Sequence, residues 1–335
     1  MKTPTSTTHR AGSIPSVLAA MGAAAVPVAH ASDSAHESPA SMVAAFHSAF
    51  GEHHARAVHA KGVVLEGTFT PAPEARALSS ASLFSTGTIP VTIRFSDFTG
   101  LPAIPDTSPN ANPRGLAIKF HIRDGSEADI VTHSFNGFPV STADEFARFL
   151  RAVGSSGPDA PKPTPIDAFL DSHPIAKTFL TTQKPPPASY ATAAYFGVNS
   201  FAFIDNTGHR IFVRYRFVPV GGEHYLDAMT VARTGPDYLV EEIGLRVAKS
   251  PAKFEWFAQI SEKDDVIEDP SIAWPESRRL VLLGTIAITR ETPDQADAEK
   301  SLLFLPGRVP AGIETADPML NIRHASYPIS FSERQ

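Results

Sequence analysis

DPMLNIRHASYPISF, residues 317–331, places Arg323 four positions before Tyr327. In a helix that spacing puts both side chains on one face, close enough to interact. Two readings are open. One is a packed tyrosine beside a surface arginine. The other is a guanidinium that keeps the phenol ionised. A free phenol ionises near pH ~10, and a neighbouring cation favours its charged form. A phenolate oxygen is a hard anionic ligand suited to ferric iron. The pair alone does not choose between these readings, so the choice rests on the rest of the chain.

Working outward, the 335 residues contain no cysteine. That removes thiolate ligation, iron–sulfur clusters, Cys-type zinc, disulfides and thiol catalysis together, leaving His, Tyr, carboxylates and carbonyls as metal ligands. Hydrophobic residues make up 42% and charged residues 19%, the composition of a globular protein with a sizeable core. A net charge of −6 gives no basic footprint, so nucleic acid is not an expected partner. The 30 prolines predict many loops rather than a helical bundle. At the start, Lys2 and Arg10, the apolar stretch Ile14–Val28 and Ala29-His30-Ala31 form an export-signal pattern. The expected organisation is a signal peptide over 1–31 and one domain over 32–335. The predicted location is periplasmic or secreted, with no stable membrane insertion.

Between these ends the periodicity alternates between strand and helix. Ser38-Pro39 reads as a helix start, followed by Met42, Val43, Phe46 and Phe50 at helical spacing. In PVTIRFSD (90–97), Val91, Ile93 and Phe95 alternate with Thr92, Arg94 and Ser96, so a strand shows Arg94 and Ser96 on one face. GLAIKFHI (115–122) alternates likewise. SFAFID, the turn Asn206-Thr207-Gly208 and RIFVRYRF predict a hairpin, and LVLLGTIAITR from Leu280 another strand. TADEFARFLRAV (142–153) carries Phe146, Phe149 and Leu150 on one helical face with Thr142 as cap. YLVEEIGLRVA and KFEWFAQI are expected to form a second helical region. The fold class predicted is α+β: an antiparallel sheet, closed to protect its edges, with helices in its connections.

EHHARAVHAKG (52–62) gathers His53, His54 and His59 between the first helix and the first strand, without the HExxH spacing of a zinc site. RAVHAKG, IRFSD, PRGLAIKF, DEFARF, FGVNSFAF and DPMLNIRHASY, in this order, resemble the motifs of the haem catalase superfamily from about Ala45 to Tyr327. The short chain with an export signal is most similar to its catalase-related peroxidase branch. The resemblance implies a catalase-like antiparallel β-barrel holding haem b. It makes Tyr327 the iron ligand, the tyrosine ligation that is the general catalase case, and Arg323 the group that keeps it ionised. It makes His59 the catalytic residue that handles the peroxide proton, supported by Ser96. Arg56, Arg94 and in part Arg323 then meet the haem propionates, and Phe146 covers the porphyrin.

The chain also departs from that pattern. An ungapped reading of DIVTHSFNGFPV puts His133 where catalases place a second distal residue, an asparagine; Asn136 fits only with a different loop path. PISFSERQ after Ile322-to-Tyr327 lacks the basic cluster of catalases, and the C-terminal helical domain is missing. The implied activity is reduction of hydrogen peroxide or an organic hydroperoxide by an external electron donor, with little dismutation. Three alternatives stand beside it: a haem-dependent hydroperoxide isomerase, a non-enzymatic haem-binding protein, and a haem-free barrel. The donor and the oligomeric state are left open.

Overall fold

The computed structural model describes residues 36–85 and 87–335. The export-signal reading, on residues 1–31, lies outside them. Strands β1 (Gly62–Pro71), β2 (Ile89–Ser96), β3 (Gly115–His121), β4 (Glu127–His133), β5 (Tyr195–Ile204), β6 (Arg210–Pro219), β7 (Ala252–Ile260), β8 (Leu280–Glu291) and the short β9 (Ile313–Thr315) form one antiparallel sheet. Its order is β4-β3-β2-β1-β8-β7-β6-β5-β9, and a β4–β5 pairing at His133 and Phe196 closes eight strands into a barrel. Closure leaves no long unpaired edge. The α+β reading of the sequence matches this architecture.

The barrel fills with inward residues of alternate positions, among them Val63, Leu65, Phe95, Leu116, Ile118, Phe120, Phe217 and Trp256. The hairpin turn forms where expected. Asp205 Oδ1 accepts the backbone N–H groups of Thr207 and His209 at 2.8 and 3.0 Å, and Gly208 takes φ +83°, which favours glycine.

One expected helix is a strand. KFEWFAQI lies in β7, where Ala252, Phe254, Trp256 and Ala258 are buried and Lys253 and Glu255 face outward. That alternation has period two, and pairing with β6 and β8 on either side satisfies its backbone. Trp256 of this strand stacks on Phe217 inside the barrel, with centroids 5.7 Å apart.

The helices α1 (Pro39–Phe50), α2 (Ala75–Leu78), α3 (Ala143–Gly154), α4 (Pro165–Ser172), α5 (Pro174–Thr181), α6 (Ala228–Val231), α7 (Tyr238–Lys249), α8 (Gln295–Ser301) and α9 (Met319–Ser332) sit in the connections and after β9. Ser38 caps α1 by accepting from Ser41 N, and Thr142 caps α3 by accepting from Glu145 N, as their sequences predict. Met42 and Ala45 of α1 and Phe146, Phe149 and Leu150 of α3 make a second apolar cluster, against which Ile322 of α9 packs. This cluster holds α9 beside the barrel. Among the described residues no helix is long and apolar enough to cross a membrane.

Candidate active site

The outer face of the first five strands supplies one wall of the site. Gly62, Ser96, Gly115, His133 and Phe196 are consecutive partners across β1 to β5, and Val64, Arg94, Ala117 and Val131 form the row beside them across β1 to β4. Because strand side chains alternate, these rows face away from the barrel core that holds Val63, Phe95 and Leu116. Two glycines are there to make room. A Cβ at Gly62 would run into the Phe95 carbonyl and lie 2.6 Å from an Arg94 guanidinium nitrogen. A Cβ at Gly115 would strike Ser96 Oγ and lie 2.9 Å from His59 Nδ1.

His59 stands over this wall on the loop between α1 and β1. Its backbone is left-handed, φ +57°, which is uncommon for a residue with a side chain and marks local strain. The loop is pinned in place: His59 N–H donates to Phe98 C=O at 3.0 Å and Ala60 N–H to Thr99 C=O at 2.9 Å. His59 Nδ1 and Ser96 Oγ share a hydrogen bond of 3.0 Å, which leaves Nε2 to the cavity. Phe98 meets the imidazole edge-on at 5.6 Å. Burial, with the charges of Arg94, His133 and Arg323 adding to it, pulls the His59 imidazole down to about 3. It is therefore a neutral base at physiological pH. His53 and His54, its neighbours in sequence, are exposed and do not line the cavity.

His133 lines the same cavity, and Asn136 is not among the residues that line it. Phe135 N–H donates to His133 Nδ1 at 3.4 Å. Its Nε2 is buried and has no hydrogen-bond partner among the described residues. Burial and the charge of Arg323 hold this imidazole, too, at about 3.

The facing element is α9. Arg323 Nη2 donates to Tyr327 Oη at 3.0 Å, so the one-turn spacing does bring guanidinium and phenol together. Arg323 is itself fixed by Asn199 Oδ1, Asn199 Nδ2 donates to Asp317 Oδ2 at 2.6 Å, and Asp317 Oδ1 accepts Met319 N–H at 2.9 Å. Asn199 falls where the β5–β6 register shifts, a bulge that interrupts the ladder and re-aims a side chain. Ala57 N–H donates to Ser330 Oγ at 3.0 Å, tying the His59 loop directly to α9.

At the other end of the cavity lie Arg56, Arg94 and Arg334. The sequence reading found the first two and missed the third. Arg334 stands seven residues after Tyr327, in the turn just past the end of α9. Burial, then repulsion by Arg94, lowers Arg334 to about 10, and its Nε is buried without a partner. Glu299 of α8, also missed, pairs with both Arg56 and Arg94.

The cavity has two adjoining lobes that share Phe46, Val58, His59, Val131, Thr132, Ser326 and Tyr327. One encloses about 730 Å³ and the other about 760 Å³ of empty space, part of it open to solvent. Arg56, Arg94 and Arg334 border the first lobe; His133, Phe98, Phe138, Phe146 and Arg323 border the second. A slot with cations at one end, aromatic rings at the other and a phenol on its wall fits a haem. Arg334 Nε and His133 Nε2, on residues that line the slot, are buried without a partner among the described residues. All the site residues expected from sequence, Arg56, His59, Arg94, Phe146, Arg323 and Tyr327, line one lobe or both.

Barrel, wall and helix together define a catalase-type domain. The catalase family model matches residues 49–334, and the chain belongs to that family. It is 36% identical over 283 residues to a catalase-related peroxidase of Mycolicibacterium paratuberculosis, covering 83% of this chain and 88% of the relative. It is 33% identical to a catalase-related peroxidase of Synechococcus elongatus, covering 82% of each. A catalase of Bacillus subtilis is 28% identical, and this chain spans 42% of its length. A fungal catalase crystal structure superposes with a TM-score of 0.74 at 20% identity, over 84% of this chain and 59% of that one.

Proposed function

We propose that this chain is an oxidoreductase acting on peroxide: a haem-dependent peroxidase that reduces hydrogen peroxide or an organic hydroperoxide with electrons from an external donor, and dismutates little. The convergence of the Arg323–Tyr327 pair and the Ser96–His59 pair on one cavity carries the reading. The two catalase-related peroxidases that match most of their own length support it over the catalase reading.

In this reading Tyr327 Oη would hold the iron of haem b, and the hydrogen bond from Arg323 would stabilise that oxygen as an anion. Arg56, Arg94 and Arg334 receive the propionates through charge-assisted hydrogen bonds. When bound, haem supplies the redox centre that accepts the peroxide's oxidising equivalents and returns them to the donor. His59 moves the proton. Its neutral Nε2 takes the proton from the inner peroxide oxygen and delivers it to the outer one, so that water or an alcohol leaves. Ser96 holds the ring by its other nitrogen. The unpartnered Nε2 of His133 would be available to hydrogen-bond an oxygen held in the same space. Phe46, Phe98, Phe138 and Phe146 keep water sparse around these steps.

The test is the visible spectrum of protein supplied with haem, before and after a peroxide pulse, followed by an oxygen electrode and a dye-oxidation assay on one sample. A Soret band that responds to peroxide, with dye oxidation far outpacing oxygen release, is expected. No Soret band sinks the haem reading. Vigorous oxygen evolution with negligible dye oxidation makes the protein a small true catalase.

A further inference from the structure

The arginine end of the cavity contains a carboxylate that neither the peroxide chemistry nor the haem ligation uses. Glu299 lies on α8, three-quarters enclosed. Arg94 Nε reaches both of its oxygens, at 2.8 and 2.9 Å, and Arg56 Nη1 bonds its Oε2. One further donor of each arginine turns to backbone: Arg94 Nη2 to Ala60 C=O at 3.1 Å, and Arg56 Nη2 to Leu302 C=O at 3.0 Å. Arg334 Nη2 shares that Leu302 carbonyl, at 2.7 Å. The helix that presents Glu299 is itself anchored to the barrel, because Gln295 bonds Val64 through both N–H, at 2.9 Å, and C=O, at 2.6 Å.

Three guanidiniums gathered this closely repel one another. Burial lowers both Arg56 and Arg334, and in each case the charge of Arg94 lowers them further. Burial alone raises the Glu299 carboxyl, but Arg94 and Arg56 outweigh it and leave it below the ordinary range, so it is ionised at neutral pH. Three cations against one anion leave a surplus of two positive charges, which the two propionates of a haem would cancel. The donors those propionates need on Arg94 and Arg56 are in part already taken.

We propose that Glu299 is the internal counter-ion of the arginine clamp, holding Arg56 and Arg94 in place until a haem propionate takes over its contacts. The proposal rests on the haem reading and extends it to loading. Glu299 and a propionate are rivals for the same guanidiniums, so haem affinity is set by an exchange of carboxylates, not by filling unpaired cations. Removing the rival without changing its shape strengthens haem binding. It also weakens the protein without haem, because the clamp loses its only counter-ion among these groups.

Glu299→Gln separates this from a merely structural role. Haem is titrated into purified wild type and variant, with the Soret band as readout, and its release to an excess of a haem-scavenging protein is timed. Glu299→Gln is expected to hold haem about tenfold more tightly, the scale of one exchanged charge-assisted hydrogen bond. Its melting temperature without haem should fall below that of wild type. Equal or weaker haem binding by the variant overturns the proposal, because a brace that positions the arginines would lose affinity when removed. If Glu299→Gln does not fold, Glu299→Asp keeps the charge on a shorter reach and should shift affinity the same way, by about threefold; no shift or a loss overturns the proposal equally. Absence of a Soret band in wild type would instead fail the haem reading itself.

Discussion

Lowering the pH from 7.5 to 5 tests the state of His59 directly. An ordinary histidine, at 6.5, would be only about 3% neutral at pH 5, whereas one held at about 3 stays about 99% neutral there. If His59 is the proton carrier, the two cases differ about thirtyfold in the rate at that pH. The cause is structural: the ring is enclosed, and Arg94 and Arg323 add positive potential. The assay is stopped-flow mixing of haem-loaded protein with peroxide, reading the second-order rate of the Soret change from pH 8 to 4.5. A flat profile is expected, because His133, the other imidazole of the cavity, is also held at about 3. His59→Gln should lower the whole profile by about 10²–10⁴-fold, the contribution of a positioned acid–base group. A thirtyfold fall in wild type by pH 5, with a midpoint near 6.5, would refute this account. The same shift affects stability. Since the folded value lies below the unfolded one, unfolded chains bind more protons between about 3 and 6.5, and stability falls as pH falls through that window.

Further outcomes are expected elsewhere in the chain. Tyr327→Phe should lose most of the haem or change its spectrum, and an unchanged Soret band would remove Tyr327 as ligand. Gly115→Ala should keep the barrel but displace Ser96 and His59, since its Cβ would lie 2.9 Å from His59 Nδ1; the peroxide step should slow by at least about tenfold with haem retained, and wild-type rates would show the wall to be yielding. Export remains a proposal from the sequence alone: mass spectrometry of protein from the native host should find a chain starting near Ser32, and an intact Met1 on cytoplasmic protein would oppose it.

What the sequence disclosed and what it hid divide by the range of the interaction. Alternation in IRFSD put Arg94 and Ser96 on one face, and the one-turn spacing joined Arg323 to Tyr327, because both are local geometry. The β4–β5 closure at His133 and Phe196 joins strands that no turn connects, and only the folded chain shows it. KFEWFAQI misled because a run of aromatics satisfies a helix face or a strand face until its neighbours on the sheet are known. Glu299 stands over two hundred positions from Arg56 and Arg94, and nothing in its own segment distinguishes it from any acidic residue of a polar helix. Arg334 lies in the turn past the end of α9, where no helical or strand period marks the face a side chain takes.

The left-handed backbone at His59 has a consequence for anyone who would make this protein sturdier. A side chain at φ +57° costs about 1–2 kcal/mol relative to glycine, whatever the side chain does. A search for stabilising substitutions would therefore favour glycine there, as it would at any loop residue on the wrong side of the backbone map. The gain would come by deleting the imidazole proposed above to move the proton. At position 59, on a loop pinned to Phe98 and Thr99, durability and turnover therefore pull in opposite directions.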